Sequence, residues 1–326
     1  MLRTDVELAK GAAAGREADF AELARRHEGR IRLHCYRMLG SLHDADDAVQ
    51  ETMTKAWRGI GAFEGRSLVG TWLYRIATTT CLNMLRSRPR VVVPEAFTAR
   101  DRPAAADVPW LEPYPDVMIE AGADSDPAAR LEAKEATRLA FVATVQLLPP
   151  RQRAVLLLRD VLAWRADEVA AALDTTVAAV NSALQRARAR LAAHRTWDES
   201  TPEVESVVEE WMRCWERCDI EGLVALLTDD VVLAMPPTPA WFSGRREVGH
   251  FFSTVPAEGQ LDTIRLLHTR ANGQPAVAAY MTTPHGGYVG YGVMVFDLVG
   301  DRIGGITGFS DGRLIERFGL PAELDR

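Results

Sequence analysis

Seven prolines fall between residues 89 and 130. Proline fixes its own φ, lacks a backbone N–H and pushes the residue before it out of the helical region, so no long helix or strand runs through such a stretch. The chain must fold as segments on either side of it. Upstream, residues 8–88 carry apolar side chains at three- and four-residue spacing and read as almost entirely helical. Residues 131–197 read as helical again. Residues 202–326 change character: Val204, Val207, Val208, Trp211, Met212 and Trp215 form one helix face, and the short helix DIEGLVALL follows. Then come the strand-like runs VVLAM, TIRLLHT, AVAAYMT, YVGYGVMVFDLVG and RIGGITGFSD, with Asn272-Gly273 and Gly300-Asp301 as hairpin turns. The expected organisation is a helical domain over 1–88, a proline-rich acidic linker over 89–130, a helical domain over 131–197 and an α+β domain over 198–326, with a curved antiparallel sheet.

Charge follows the same division. Residues 1–90 carry 15 basic and 11 acidic side chains, and residues 131–197 carry 10 and 6. The linker 91–130 carries 3 basic and 8 acidic, and residues 198–326 carry 10 and 20. Mildly basic blocks suit a nucleic-acid surface that works with help from another protein; a stand-alone DNA binder is more strongly basic. No apolar run approaches the ~20 residues of a membrane span, and the N-terminus has no signal-peptide core. The four cysteines make no disulfide framework, and Cys214-x-x-x-Cys218 lacks further ligands for a metal. A cytoplasmic protein without metal or cofactor is expected.

The segment from Leu148, LPPRQRAVLLLRDVLAWRADEVAAALDTTVAAVNSALQRARARL, reads as a helix-turn-helix. Pro149 and Pro150 start one helix, Arg165–Leu173 forms the next, Asp174-Thr175 turns, and Thr176 opens the last. On that last helix Val177, Val180, Leu184, Ala187 and Leu191 should pack inward. Ala178, Asn181, Ser182 and Gln185 face out, short or amide side chains suited to base edges, and Arg186, Arg188 and Arg190 flank them for phosphates. By itself this predicts DNA binding and nothing narrower.

In DADDAVQETMTKAW, residues 44–57, Ala45, Val49, Met53 and Trp57 recur every four residues as a core face, and Asp46, Asp47, Gln50 and Glu51 lie off it. Such an acidic and amide surface repels DNA and suits a protein partner. Further on, Leu73, Ile76, Thr80 and Met84 form a buried stripe and Arg75, Thr79, Asn83 and Arg86 a DNA-compatible one. The loop Phe63-Glu64-Gly65-Arg66-Ser67 before Trp72 is placed to accept a base splayed from the duplex.

In order, spacing and the pattern D-A-x-D-x-x-Q-E-x-x-x-x-A-W, residues 16–194 resemble the extracytoplasmic-function group of bacterial RNA polymerase sigma factors. Residues 20–86 are similar to sigma region 2, and the helix-turn-helix is similar to sigma region 4. The resemblance implies core RNA polymerase and promoter DNA as partners. Asp46, Asp47, Gln50 and Glu51 would face the β′ clamp helices, with the β flap as the site for region 4. Phe63, Arg66, Ser67, Arg75, Thr79, Asn83 and Arg86 would melt and read the −10 element. Ala178, Asn181, Ser182, Gln185, Arg186, Arg188 and Arg190 would serve the −35 element. Where such factors often have G-T-V-K-S-R, this chain has A-A-V-N-S-A at 178–183, which lacks the Lys and Arg.

Residues 202–326 resemble SnoaL-like domains, and the combination resembles sigma factors whose tail regulates from within the chain. PWLEPYPD, residues 109–116, brings Trp110, Leu111 and Tyr114 into the acidic linker, either as a local cluster or as a motif docking the linker on a domain. SDGRLIERFGLP, residues 310–321, supplies Asp311 and Arg313 as further regulatory contacts and is expected to touch the sigma core. A cone of this kind admits an unidentified small ligand, with Trp211, Trp215, Met235, Trp241, Phe252, His268, Tyr280, Tyr291 and Phe309 as candidate liners. Asp229, Asp230, His250, His268 and Asp311 are present, but no spacing singles out an acid–base pair, so no enzyme activity is expected. Two other functions fit parts of the chain: a ligand-sensing helix-turn-helix regulator, and a SnoaL-type isomerase or hydrolase.

Overall fold

The computed structural model describes residues 3–65, 67–87, 111–122, 136–192, 204–236, 238 and 240–325. The chain divides into two compact units. The first comprises Met1–Val92, Met118–Thr137 and Thr144–His194, and the second Val93–Val117, Arg138–Ala143 and Arg195–Arg326.

In the first unit, helices α1 (Asp5–Ala13), α2 (Glu17–Leu39), α3 (Leu42–Gly59) and α4 (Val69–Ser87) form a bundle. Thr4 and Glu7 cap α1 reciprocally. Gly40, in the left-handed region at φ 77°, ends α2, and Ser41 caps α3 by accepting from the Asp44 N–H at 3.1 Å. The buried stripe of α3 is Ala45, Ala48, Val49, Thr52 and Ala56 rather than the expected four-residue ladder, and Trp57 is 37% exposed, resting against Phe20 at 5.1 Å. A four-residue step advances about 400°, so three steps swing Trp57 about 120° away from Ala45.

Helix α5 (Asp116–Gly122) and helix α6 (Leu139–Gln146) precede the helix-turn-helix. The latter comprises α7 (Pro150–Leu156), a π-helical turn over Leu157–Val161, α8 (Ala166–Ala172) and α9 (Val177–Ala192). Sequence periodicity did not anticipate that this second helical block packs on the first. Arg153 of α7 is buried and donates to the carbonyl oxygens of Met38, Gln146 and Leu148 and to Gln146 Oε1. Gln146 Nε2 donates to the Arg37 carbonyl at 3.0 Å, and Arg37 donates to Ala136 O and Thr137 Oγ1, both at 3.0 Å. The carbonyl end of α2, orphaned in any isolated helix, is thus satisfied by side chains from more than 100 residues away.

His34 is buried between α2 and α4, with Nε2 2.9 Å from Thr78 Oγ1 and its ring edge-on to Tyr74. Burial, with a smaller contribution from the Arg37 charge, pushes its pKa from 6.5 down to about 3. The folded unit therefore keeps His34 neutral, while the unfolded chain takes up a proton below pH 6.5. This contribution to stability is intact above pH 6.5 and is lost as pH falls towards 3, reaching about 2 kcal/mol at pH 5. The urea midpoint of the helical unit should drop between pH 7 and pH 5, and His34→Gln should remove most of that drop. An equal drop in the variant would show that another group is responsible.

The second unit packs α10 (Val204–Glu216), α11 (Ile220–Ala225) and α12 (Arg245–Thr254) with one sheet of β1 (Leu227–Ala234), β2 (Trp241–Ser243), β3 (Ile264–Ala271), β4 (Gln274–Thr282), β5 (Tyr288–Val299) and β6 (Arg302–Phe309). The order is β2-β1-β6-β5-β4-β3. The pairs are antiparallel except β1 and β6, which run parallel, so the sheet is mixed where pure antiparallel pairing was expected. Breaks in register at Ala279/Tyr280 and Asp297/Leu298 bend it. Asn272 at φ 58° and Gly273 at φ 73° make the expected β3–β4 turn. Trp211 and Trp215 of α10 fill the concave face; Trp211 meets Phe252 and Phe296 edge-on, and Trp215 Nε1 donates to Ile264 O at 3.0 Å. A short helix α13 (Leu314–Arg317) and strand β7 (Glu323–Leu324), which pairs with β5, close the unit.

The docking reading of PWLEPYPD is the one the fold adopts, as a strap on the β3–β4 hairpin within this unit. Asn272 Oδ1 accepts from the Tyr114 N–H, and the Asn272 N–H donates to the Tyr114 carbonyl, each at 2.8 Å. Pro115 bridges to Ala271, and Asp116 accepts from the Gly273 N–H at 2.7 Å and pairs with Arg270. Leu111 and Tyr114 are buried, and full burial of the leucine side chain alone is worth on the order of 1.5–3 kcal/mol. Trp110 lies outside the described residues. No described helix is long and apolar enough to cross a membrane.

Candidate nucleic-acid interface

On α4, Leu73, Ala77, Thr78, Thr80 and Cys81 are buried, with Ile76 and Met84 half-buried, and this fixes the outward stripe. Arg75, Thr79, Asn83 and Arg86 are all exposed along it. Thr79 Oγ1 donates to the Arg75 carbonyl at 3.0 Å, so its hydroxyl faces out as an acceptor. In the preceding loop, Gly65 turns at φ 69°, Ser67 is exposed, and Phe63 is half-buried against Trp72 with ring centroids 5.1 Å apart. Arg66 lies outside the described residues. Sequence reasoning missed Leu68, which stands 78% exposed where the loop meets α4. Its only signal was a leucine next to a loop rather than on the helix's apolar stripe.

On α3, Asp47, Gln50 and Glu51 are exposed, and Glu51 pairs with Lys55 at 3.2 Å. Asp46 differs: it is half-buried and accepts from Arg32 Nε at 2.8 Å, so part of its charge is already answered within the fold. The acidic surface is therefore centred on Asp47, Gln50 and Glu51.

In the helix-turn-helix, Asp174 makes the turn at φ 49°, and Thr176 Oγ1 accepts from the Ala179 N–H to start α9. Val180, Leu184 and Ala187 are buried, but Val177 is 43% exposed and does not pack inward as expected. It is the opening residue of α9, and inward packing begins one turn later. Ala178, Asn181, Ser182 and Gln185 are exposed on one face, as are Arg186 and Arg190. Arg186 leans on Ser182 Oγ at 2.5 Å. Arg188 is held by Asp160 through two hydrogen bonds of 2.9 and 2.7 Å, and that carboxylate raises its pKa. Reaching a phosphate means leaving an exposed pair worth about 1 kcal/mol or less.

In the second unit Asp311 and Arg313 bond each other, with the guanidinium lowering the carboxyl's pKa. Glu112 of the strap adds to the field that favours the charged form of Arg313. Leu314, Ile315 and Phe318, downstream in the same motif, are buried, and α13 packs on β5. A cavity of about 240 Å³ opens in the cone. Trp215, Met235, Phe252, Tyr291 and Phe309 line it as expected. Trp211, Trp241, His268 and Tyr280 do not: Trp211 sits behind Phe252, and the Tyr280 hydroxyl donates to Pro321 O at 2.9 Å. Among the described residues no group of three or more His, Cys, Asp and Glu side chains is placed to hold a metal ion.

Three family profiles match the chain: sigma-70 region 2 over residues 23–91, sigma-70 region 4 over residues 138–191, and a SnoaL-like domain over residues 208–305. The ECF RNA polymerase sigma factor SigG of Mycobacterium tuberculosis is 41% identical over 325 residues, covering 95% of this chain and 86% of the relative. SigM of the same species is 32% identical over 190 residues, covering 58% of this chain and 84% of SigM. Among solved structures, the extracytoplasmic function sigma factor SigJ of M. tuberculosis superposes with a TM-score of 0.60 at 21% identity, over 93% of this chain and 99% of SigJ, a likeness of fold.

Proposed function

The chain belongs to the extracytoplasmic-function RNA polymerase sigma factors, with a SnoaL-like domain joined to its C-terminal side, and we propose how its surfaces divide that work. As a sigma factor it binds core RNA polymerase and directs it to promoters. Asp47, Gln50 and Glu51 of α3 dock on the β′ clamp helices, with Asp46 at the margin. The loop from Phe63 to Ser67 and the α4 stripe Arg75, Thr79, Asn83 and Arg86 read and hold the melted −10 element. Asn181, Ser182 and Gln185 of α9 read the −35 duplex, with Ala178 giving close approach and Arg186, Arg188 and Arg190 on phosphates, while region 4 sits on the β flap. The observation that carries this reading is that one helical unit presents an acidic and amide surface on α3 and a cationic and amide stripe on α4, both exposed. A repressor using the helix-turn-helix alone leaves both without a task.

The same unit must open to work. Packed as it is, it is on the order of 40 Å across. Elements centred near −10 and −35 lie about 25 base pairs apart, on the order of 80 Å of duplex. The contacts between α7 and the end of α2 therefore belong to the free factor and separate on the promoter.

The cone and its strap regulate in cis, and the cone binds rather than turns over a ligand. The composition of its wall supports that: Asp229, Asp230, His250, His268 and Asp311 are absent from the cavity lining. Run-off transcription with reconstituted holoenzyme tests both parts. The full chain should initiate with core polymerase and bind promoter duplex weakly without it; tight, specific binding alone would sink the sigma assignment of these surfaces. Asn272→Gly keeps the turn but removes the acceptor for Tyr114, and it should change run-off yield severalfold. Unchanged yield would remove the strap from regulation.

A further inference from the structure

Cys35 of α2 and Cys81 of α4 are free thiols, and both are wholly buried. Their helices run side by side in the same direction. A Cβ on Gly70 would lie 3.4 Å from the His27 ring, His34 meets Thr78 at 2.9 Å, and the next step along this seam brings Cys35 against Cys81. Burial holds the Cys81 thiol well above its ordinary pKa, the Cys35 thiol beside it adds to the rise, and the charge of Arg153 opposes it. A protonated thiol kept from water is a poor nucleophile, so the pair is inert as packed.

The second helical block closes this seam. Helix α7 packs on both α2 and α4, and the π-helical turn after it rests on α2. Arg153 donates to the carbonyl of Met38, about one turn beyond Cys35. Trp164 stands edge-on to Tyr74 of α4, with ring centroids 6.4 Å apart. Once these contacts part, water reaches the seam and the cost of forming a thiolate falls. A lone thiol would then stop at the sulfenic acid, whereas a neighbouring thiol resolves it to a disulfide. The place of the pair matters too: Cys81 is buried on α4 while Thr79 and Asn83, on either side of it in sequence, are exposed on the outward stripe.

We propose that Cys35 and Cys81 are an oxidation site, shut in the packed factor and opened when α7 leaves, where a hydroperoxide joins α2 to α4 by a disulfide behind the DNA-facing stripe. The Cys81 thiolate attacks a peroxide oxygen, the O–O bond breaks, and hydroxide leaves and takes up the thiol proton. The resulting sulfenic sulfur is attacked by Cys35, the S–S bond forms, and the hydroxyl leaves with the second thiol proton as water. Two thiols are oxidised to one disulfide, and one hydrogen peroxide is reduced to two waters. The inference rests on the opening of the helical unit proposed for promoter binding.

Hydrogen peroxide is the probe, added to the reduced full chain. N-ethylmaleimide stops the reaction, and mass spectrometry of unreduced peptides reads the Cys35–Cys81 link directly. We expect slow linkage in the free factor and at least tenfold faster linkage in Arg153→Ala and in Trp164→Ala, which loosen α7 without polymerase. Wild-type holoenzyme on promoter duplex should show the same acceleration. Cys214 and Cys218, in the other unit, should keep their rates in both variants. Leu23→Ala weakens the core of the same unit more than three turns of α2 from Cys35, and should leave the linkage rate within about twofold. Equal rates in the packed and loosened proteins, an acceleration in Leu23→Ala as large as in Arg153→Ala, or oxidation to sulfinic acid without the link would overturn the site. Acceleration in the two variants but not on the promoter would uphold the thiol pair and overturn the opening, so the two failures are told apart.

Discussion

Arg153→Ala is expected to destabilise the helical unit by about 3 kcal/mol or more. The side chain is buried and satisfies the carbonyls of Met38, Gln146 and Leu148 together with Gln146 Oε1. Its removal leaves several buried acceptors without a donor, and each costs about 1–3 kcal/mol when it cannot reach water. Relaxation will recover part of that sum. Urea unfolding of the full chain should show the transition of the helical unit moving to lower denaturant while that of the cone stays. Arg151→Ala, two residues away at an exposed position of α7, should change stability by no more than about 0.5 kcal/mol. If the two substitutions prove equivalent, Arg153 does not clasp the two helical blocks. Because the same contacts must part on the promoter, the variant should also be cleaved faster by protease in the residues joining the blocks.

The second large effect is at the polymerase surface. Reversing charge at Asp47 and Glu51 together, Asp47→Arg with Glu51→Arg, should weaken binding to core polymerase about a hundredfold. Like charges brought together at an interface cost several kcal/mol. Both side chains are exposed, so helix content and melting temperature should be nearly unchanged. Asp46→Asn should behave differently: its carboxylate is bound to Arg32, so the loss appears partly as stability and less as affinity. Binding of labelled core polymerase measured at two salt concentrations separates the effects, since exposed charges are screened. Affinity left intact by the double reversal would move the docking surface elsewhere on the unit.

Much of this was legible because the signals are local. The stripe on α4 follows from 3.6-residue periodicity and the outward face of α9 from the same rule. The Asn272-Gly273 turn follows from the φ these residues tolerate. The misplacements share a cause as well. Trp57 and Val177 were assigned inward by spacing alone, but the drift of a four-residue ladder and the start of a helix decide exposure. Asp46 and Arg188 read as free charges because their partners, Arg32 and Asp160, lie 14 and 28 residues away in sequence. Leu68 carries no pattern a window could find.

The sequence by itself determined the kind of each element, the order of the sigma and SnoaL-like segments, and which residue types face out on α3, α4 and α9. These rest on helix and strand period, on proline and glycine geometry, and on charge, all properties of neighbours along the chain. Only the tertiary structure decided that Arg153 and Gln146 bind the end of α2, that Leu111 and Tyr114 strap onto the β3–β4 hairpin, that β1 runs parallel to β6, and which aromatics border the cavity. Those outcomes depend on unpaired carbonyls, side-chain acceptors and volumes meeting across tens to more than 100 residues, where periodicity carries no information.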